Sequence, residues 1–457
     1  MDMRFSRRDF GKLLAGAGAA AAFTQLGRSA AMATPVSGYK AMVGVFLFGG
    51  NDGWNMVVPT DPARYQAYAT TRSSSLVLSP AALVGLPGST YGLHPALAPL
   101  QQIWNDGAMN LVLNAGTLFQ PLTKAQYEAS PNLRPVNLMS HADEQAHWQG
   151  LRARDVNADG FMGRLTDRAA AASIPSLMSF SGSNLALLGR SSSPLILPST
   201  GALSQYATAG NATDPVLMAR TNAVSAFADG AGLGAVTQAA ATGLSSAYSQ
   251  IVTANQILSG TSSVDQYFVN PATGLGLTSD IARQFIRVAR MIEARGTLGH
   301  GRQTFLVTQG GYDTHAGQTG AQANLFTDLG HALLGFYKAM QALGLSENVT
   351  SFTMSDFGRV YKGNAQGGSD HAWGNNHLVI GGALTPQAVH GIYPSQVLGG
   401  PDDISNDGRF IPTIAQEEYL GAIARWHGVP DADMAYVFPN WATWSGGGRG
   451  PLGMFRS

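Results

Sequence analysis

The chain has 457 residues, with 28 Lys and Arg against 28 Asp and Glu, and only 12% of its residues are charged. Such a neutral, sparsely charged chain offers no electrostatic basis for binding nucleic acid or an anionic membrane, so a small molecule or a neutral polymer is the expected partner. With no cysteine, disulfides, thiolate-bound zinc and iron–sulfur clusters are excluded, and any metal must be held by oxygen and nitrogen.

In chain order, the first feature is Ser6-Arg7-Arg8-Asp9-Phe10-Gly11-Lys12, a twin-arginine pattern followed by the apolar run Leu13 to Phe23 and by Ala31-Met32-Ala33 as a small-residue cleavage site. Residues 1–33 therefore read as a twin-arginine signal peptide, with the twin-arginine export machinery as a partner and a periplasmic or secreted bacterial location for the mature protein. That export route carries folded proteins, which suits a chain loaded with metal beforehand. No other stretch approaches the roughly 18 to 20 apolar residues a bilayer span needs, so no stable membrane anchor is expected.

The strand-like run from Ala41 to Gly49, a helical stretch near Pro95 to Trp104, and a second strand-like run from Met109 to Ala115 alternate as βαβ units do, which predicts a parallel sheet. Ser140 stands as the N-cap of a helix that begins His141-Ala142-Asp143-Glu144, where free N–H groups and the helix dipole favour an anion. Between about 165 and 300 the composition shifts to Ala, Ser, Gly and Thr, with helical periodicity over Pro215 to Ala228 and Ala235 to Leu258, and predicts a largely helical insertion over one side of the sheet. Strand signals return at Thr304 to Gln309 and Val349 to Met354, bracketing a helix from about Gln318 to Leu343. A last helix near Ile414 to Trp426 precedes the Gly-rich segment 445–450, which is expected to be exposed.

Three of these strands run directly into Gly-rich turns bearing Asp or His. They are Phe48-Gly49-Gly50-Asn51-Asp52-Gly53, Gly310-Gly311-Tyr312-Asp313-Thr314-His315, and Ser355-Asp356-Phe357-Gly358-Arg359, which leads on to Ser369-Asp370-His371. Ligands of an open α/β sheet collect at the carboxyl ends of its strands, so these distant residues are expected to meet. Asp52, Asp313, His315, Asp356, His371 and His377 are the candidate ligands of one or two divalent metals, beside Ser140 as nucleophile. Of ten histidines, five (His141, His147, His315, His371 and His377) fall in these polar segments, which favours a shared site over scattered core histidines. Gly49-Gly50-Asn51-Asp52-Gly53 lacks the Gly-x-Gly-x-x-Gly spacing and puts an acid where pyrophosphate would sit, which argues against a dinucleotide site.

Those three motifs, with Ser140-His141-Ala142-Asp143-Glu144-Gln145 and Asp370-His371-Ala372-Trp373-Gly374, resemble the DUF1501 family of exported bacterial proteins, itself similar to the alkaline phosphatase and sulfatase superfamily. The resemblance covers most of the chain beyond residue 33. It implies an α/β, alkaline-phosphatase-like three-layer fold over 34–457, with a mainly parallel central sheet and a helical insertion at about 165–300. It further implies that Asp52 and Asp356 share one metal, that Asp313, His315 and His371 form the other site, and that Ser140 is the covalent nucleophile. Phe357 stands where His or Asn is usual, and Asp313 and His315 are two apart where four is common. Asp370 or His377 can substitute, and one metal instead of two is consistent with these departures. The cofactor is expected to be zinc, manganese or calcium.

The function so implied is an exported, metal-dependent hydrolase of phosphate or sulfate esters, acting on a small-molecule or glycan ester. Arg359 is the candidate for bidentate contact with a phosphoryl or sulfuryl oxygen. The alternative is a catalytically weak or inactive relative that binds extracellular glycan or assists cell-surface assembly, to which the missing ligand at Phe357 points.

Overall fold

The computed structural model describes residues 38–72, 74–169, 174–203, 214–228 and 234–456, so the twin-arginine segment lies outside the described residues. Twelve strands are described, in chain order β1 (Lys40–Leu47), β2 (Val57–Pro59), β3 (Val84–Gly85), β4 (Tyr91–Leu93), β5 (Met109–Gly116), β6 (Leu177–Ser179), β7 (Leu195–Ile196), β8 (Arg302–Gln309), β9 (Val349–Ser355), β10 (Asn375–Ile380), β11 (Val389–Gly391) and β12 (Ile414–Ala415). Nine of them form one sheet in the order β11-β5-β10-β9-β1-β8-β6-β7, with β12 also on β5; β2, β4 and β3 form a small separate sheet.

The large sheet is mainly parallel, as expected: β1 runs parallel to β8 and β9, β6 parallel to β8 and β7, and only β10 runs against its neighbours. β1 is buried along nearly its whole length. That is the signature of a strand covered on both faces, and it explains the unbroken apolar run of its sequence. Its side chains alternate between two cores. Ala41, Val43, Val45 and Leu47 enter one together with helices Leu100–Asn105, Asp280–Glu293 and Gln318–Ala342. Met42 and Phe46 enter the other, with helices His141–Gly150, Phe161–Asp167 and Gln416–His427. The molecule is thus α/β in three layers.

Between 165 and 300 the described residues hold helices Pro215–Ala228, Ala235–Ser259 and Asp280–Glu293, but also β6 and β7, which extend the main sheet at its edge. Those strands are too short to show a period in sequence. Among the described residues no helix is long and apolar enough to cross a membrane.

The second core holds His377, whose ring lies between Trp148 and Tyr419 at centroid distances of 5.0 and 5.6 Å. Burial pushes its imidazole down to about 3, and the same cause, aided by Arg302 and Lys40, takes His427 to about 3. In the unfolded chain each takes up its proton at about pH 6.5. Between those values the unfolded chain binds protons that the folded one refuses. The full stability is therefore present above about pH 6.5 and is lost as pH falls toward 3, by about 1.4 kcal/mol per pH unit for each imidazole. The melting temperature should fall steadily from pH 6.5 to 4, and His377→Phe should make the slope shallower. An unchanged slope in the variant would remove His377 from the cause.

Candidate metal centre

Because β1, β8 and β9 are parallel neighbours, their carboxyl ends and the entry to the reversed β10 lie along one edge of the sheet. The turn after β1 needs its glycines: Gly49 and Gly50 have φ of 112° and 79°. A Cβ on Gly49 would come 2.5 Å from the Asp313 backbone nitrogen, and one on Gly50 would come 2.4 Å from the Phe357 ring. Close approach of three loops is therefore written into that pair.

Asp313, after β8, carries the centre. Its Oδ1 accepts from Arg359 Nη2 at 2.6 Å and lies 3.1 Å from His315 Nε2, 3.3 Å from His371 Nε2 and 3.5 Å from His141 Nε2. Partial burial works against its charge, but Arg359's hydrogen bond and charge, with His141 and His315 beside it, outweigh that and hold the carboxyl at about 2. His315 Nε2 and His371 Nε2 are 2.9 Å apart.

Each imidazole is anchored by its other nitrogen. His141 Nδ1 meets Asp356 Oδ2 at 2.7 Å, His315 Nδ1 meets Asp370 Oδ1 at 3.0 Å, and His371 Nδ1 meets the Met139 carbonyl at 2.9 Å. A carbonyl can only accept, and an ionised carboxylate likewise, so these partners call for Nδ1–H donors, and a ring in that tautomer turns the lone pair of its Nε2 toward the common point. Burial, and the nearby Arg359 and His141, keep His371 below the usual imidazole value and so favour its neutral form. Lone pairs facing one another and a carboxylate at about 3 Å repel unless a cation lies among them.

A divalent metal fits this set. His141, Asp313 and His371 each offer an atom within 4.8 Å of the others, and His141 Nε2 is buried with no hydrogen-bond partner. Ligands about 2.0 to 2.1 Å from a tetrahedral ion lie about 3.4 Å from each other, close to the separations seen, and imidazole ligands commonly pass their second N–H to a carboxylate or carbonyl. Phe357 packs on the rings of His141 and His371 at 4.8 and 4.6 Å. It aligns two imidazoles at a position where a ligand was expected.

The structure thus brings Asp313, His315 and His371 together, with Asp356 one step behind them. Asp356 is fully buried, and its oxygens receive His141, Gln145 Nε2 at 2.8 Å and the Gly49 N–H at 3.1 Å. It orients a ring instead of facing the ion. Asp52 is engaged elsewhere: its buried carboxylate pairs with Arg72, accepts from Gln318 and caps helix Gly53–Met56 through the N–H groups of Trp54 and Asn55. His377 lies in the core described above.

Ser140 caps helix His141–Gly150, and its hydroxyl donates to Asp143 Oδ2 at 2.6 Å. Arg359 is wholly buried and spends its donors on the carbonyls of Gly49, Gly50, Tyr312 and Ser369 as well as on Asp313. It has no face left for substrate. Sequence reasoning missed His141 as a cluster member. The available signal was its place next to the N-cap, which fixes its direction at the start of a helix.

No curated protein matches the sequence. Residues 182–399 match the model of a family described as "Protein of unknown function (DUF1501)", the family the motifs resemble, and this span includes the Asp313, Asp356 and His371 segments. Among solved structures, the chain is similar to Ps i-CgsB in complex with k-i-k-neocarrahexaose, at 10% identity over 88% of this chain and 74% of that one, with a TM-score of 0.34. It is similar to a Bacteroides thetaiotaomicron protein described under the metabolism of multiple glycosaminoglycans, at 8% identity over 88% and 82%, TM-score 0.33. It is also similar to phosphonate monoester hydrolase SpPMH from Silicibacter pomeroyi, at 11% identity over 85% and 73%, TM-score 0.33. Likenesses this distant say nothing about chemistry, which the side chains must carry.

Asp52→Ala should destabilise the protein by about 3 to 5 kcal/mol, because it leaves the Arg72 guanidinium buried and unpaired, while metal content of the folded fraction stays unchanged. Asp313→Asn, which removes the charge but keeps an oxygen acceptor for the buried Arg359, should lose metal with a smaller loss of stability than Asp52→Ala. Elemental analysis beside thermal unfolding distinguishes them; loss of metal in both would return Asp52 to the ligand set.

Proposed function

We propose that the chain is a metal-dependent hydrolase of phosphate or sulfate esters that works outside the cytoplasm after twin-arginine export. The observation that carries the reading is the convergence of the Nε2 atoms of His141, His315 and His371 on the Asp313 carboxylate, beside a pocket of about 540 Å³ that His315 and His371 line. His141, His315, His371 and Asp313 would hold a single divalent ion, with zinc the best match to three imidazoles and a carboxylate, and it would supply Lewis acidity and activate a water for attack at phosphorus or sulfur.

The protein's part is positioning. Asp356, itself fixed by Gln145, holds His141, Asp370 holds His315, and the Met139 carbonyl holds His371. Arg359 keeps Asp313 ionised and fixed. One water is consumed, its oxygen bonds to phosphorus or sulfur, and the ester oxygen leaves as the alcohol with a proton from that water. Ser140, its hydroxyl committed to Asp143, serves on this reading as the cap that sets the direction of His141.

The engagement of Asp52 by Arg72 supports the second reading, a relative that retains one metal but little turnover and binds glycan instead. Purified exported protein should contain about one divalent ion per chain and hydrolyse an aryl phosphate or aryl sulfate in a chelator-sensitive way. Ser140→Ala should keep most of the turnover and lose about 1 kcal/mol of stability, whereas Asp313→Ala should abolish turnover. Metal-loaded protein inert toward both esters would favour the binding reading, and an inactive Ser140→Ala of normal stability would restore the serine as nucleophile.

A further inference from the structure

The pocket beside the cluster contains one cation that the metal centre does not use. Arg409 lines it together with His315, His371 and Tyr127. Its Nε donates to the carbonyl of His371 at 2.8 Å, and its Nη1 donates to both oxygens of Asp407 at 3.1 and 3.0 Å. Its Nη2 has no hydrogen-bond partner among the described residues, and the side chain is 28% exposed. The guanidinium of this pocket-lining residue is therefore held on two sides, one of them the backbone of a proposed ligand, with its third nitrogen left over for a further acceptor.

Opposite in character is the Tyr127 wall. Its ring is held between Arg134, 4.3 Å from the ring centre, and the buried Trp373, 5.8 Å away. With Met139 and Ile404 it gives the pocket an apolar side.

We propose that Arg409 is the specificity-determining residue that recognises the non-bridging oxygens of a sulfate or phosphate monoester, with the ring-bearing alcohol half laid against Tyr127. The inference rests on the hydrolase reading of the same site and names its substrate class: a monoanionic or dianionic ester on an aryl or sugar ring. Arg359, expected from sequence to bind the anion, is sealed inside the loops. Arg409 is placed for that role, because its Nε is tied to the His371 carbonyl and so keeps a fixed offset from the cluster. A guanidinium suits the task, since its planar N–H groups match the oxygens of a tetrahedral anion.

The test uses the full chain, with and without added metal, and does not depend on turnover. Phenylglyoxal labelling, read by peptide mass spectrometry, should modify Arg409 and leave Arg359 untouched. Inorganic sulfate and inorganic phosphate, added separately, should each protect Arg409. If only one of them protects, that anion defines the ester class. Labelling of Arg409 that neither anion slows, or no labelling of Arg409 at all, would overturn the proposal even if the protein proves to be a metal-dependent hydrolase. Conversely, protection in a protein that holds no metal would leave the anion site standing and sink the hydrolase. In active protein, Arg409→Gln should raise KM for the anionic ester by about tenfold or more, as loss of a hydrogen bond to a charged group implies, with metal content unchanged and Arg409→Lys recovering only part of the loss. An unchanged KM would likewise overturn it.

Discussion

The buried guanidinium of Arg359 is the interaction on which the sheet edge depends. A cation taken wholly out of water is tolerated only when its donors are met, and here they are met by two carbonyls of the turn after β1, by the Tyr312 carbonyl in the turn after β8, by the Ser369 carbonyl before β10, and by the Asp313 carboxylate. Three loop segments, two of them remote in sequence from Arg359, are thereby referred to a single planar group. Gly49 and Gly50 are the complement of this arrangement, since their lack of a Cβ lets the turn after β1 close onto Asp313 and Phe357. The position of the one exposed carboxylate in the centre follows from the position of that arginine.

Three aspartates stand at equivalent places, just past three parallel strands, and the fold gives each a different counter-charge. Asp52 is neutralised by Arg72, Asp356 receives a backbone N–H, Gln145 and His141, and Asp313 is shared between Arg359 and three imidazoles. Their exposure decides their use. Asp52 and Asp356 are 1% and 0% exposed, whereas the Asp313 side chain is 48% exposed and can meet a ligand from solvent. Metal ligation, ring orientation and loop capping are thus divided among residues of one type by what happens to pack against them.

The same division explains the histidines. His141, His315 and His371 keep one nitrogen tied to the protein and one turned to a common point, while His377 is sandwiched between Trp148 and Tyr419 in the core. A histidine two residues into a strand points to one face or the other according to register, and the reversed β10, with its irregularity between Asn375 and His377, sends His377 inward. Nothing in the neighbouring sequence marks that reversal.

Sequence by itself determined the class of the fold and the edge at which its chemistry gathers. The apolar run Ala41–Leu47 can be stable only when covered on both faces, which demands a mainly parallel sheet between helical layers, and the strand-like segments Arg302–Gln309 and Val349–Ser355 are its parallel neighbours. Gly-rich turns with Asp and His after those runs then had to lie together. Tertiary structure decided which of those side chains face the centre, that His141 joins it, and that Arg359 is a strut while Arg409 lines the pocket. Such choices depend on partners hundreds of residues away and on the cost of leaving any buried charge or lone pair unmatched, and local sequence carries no record of either.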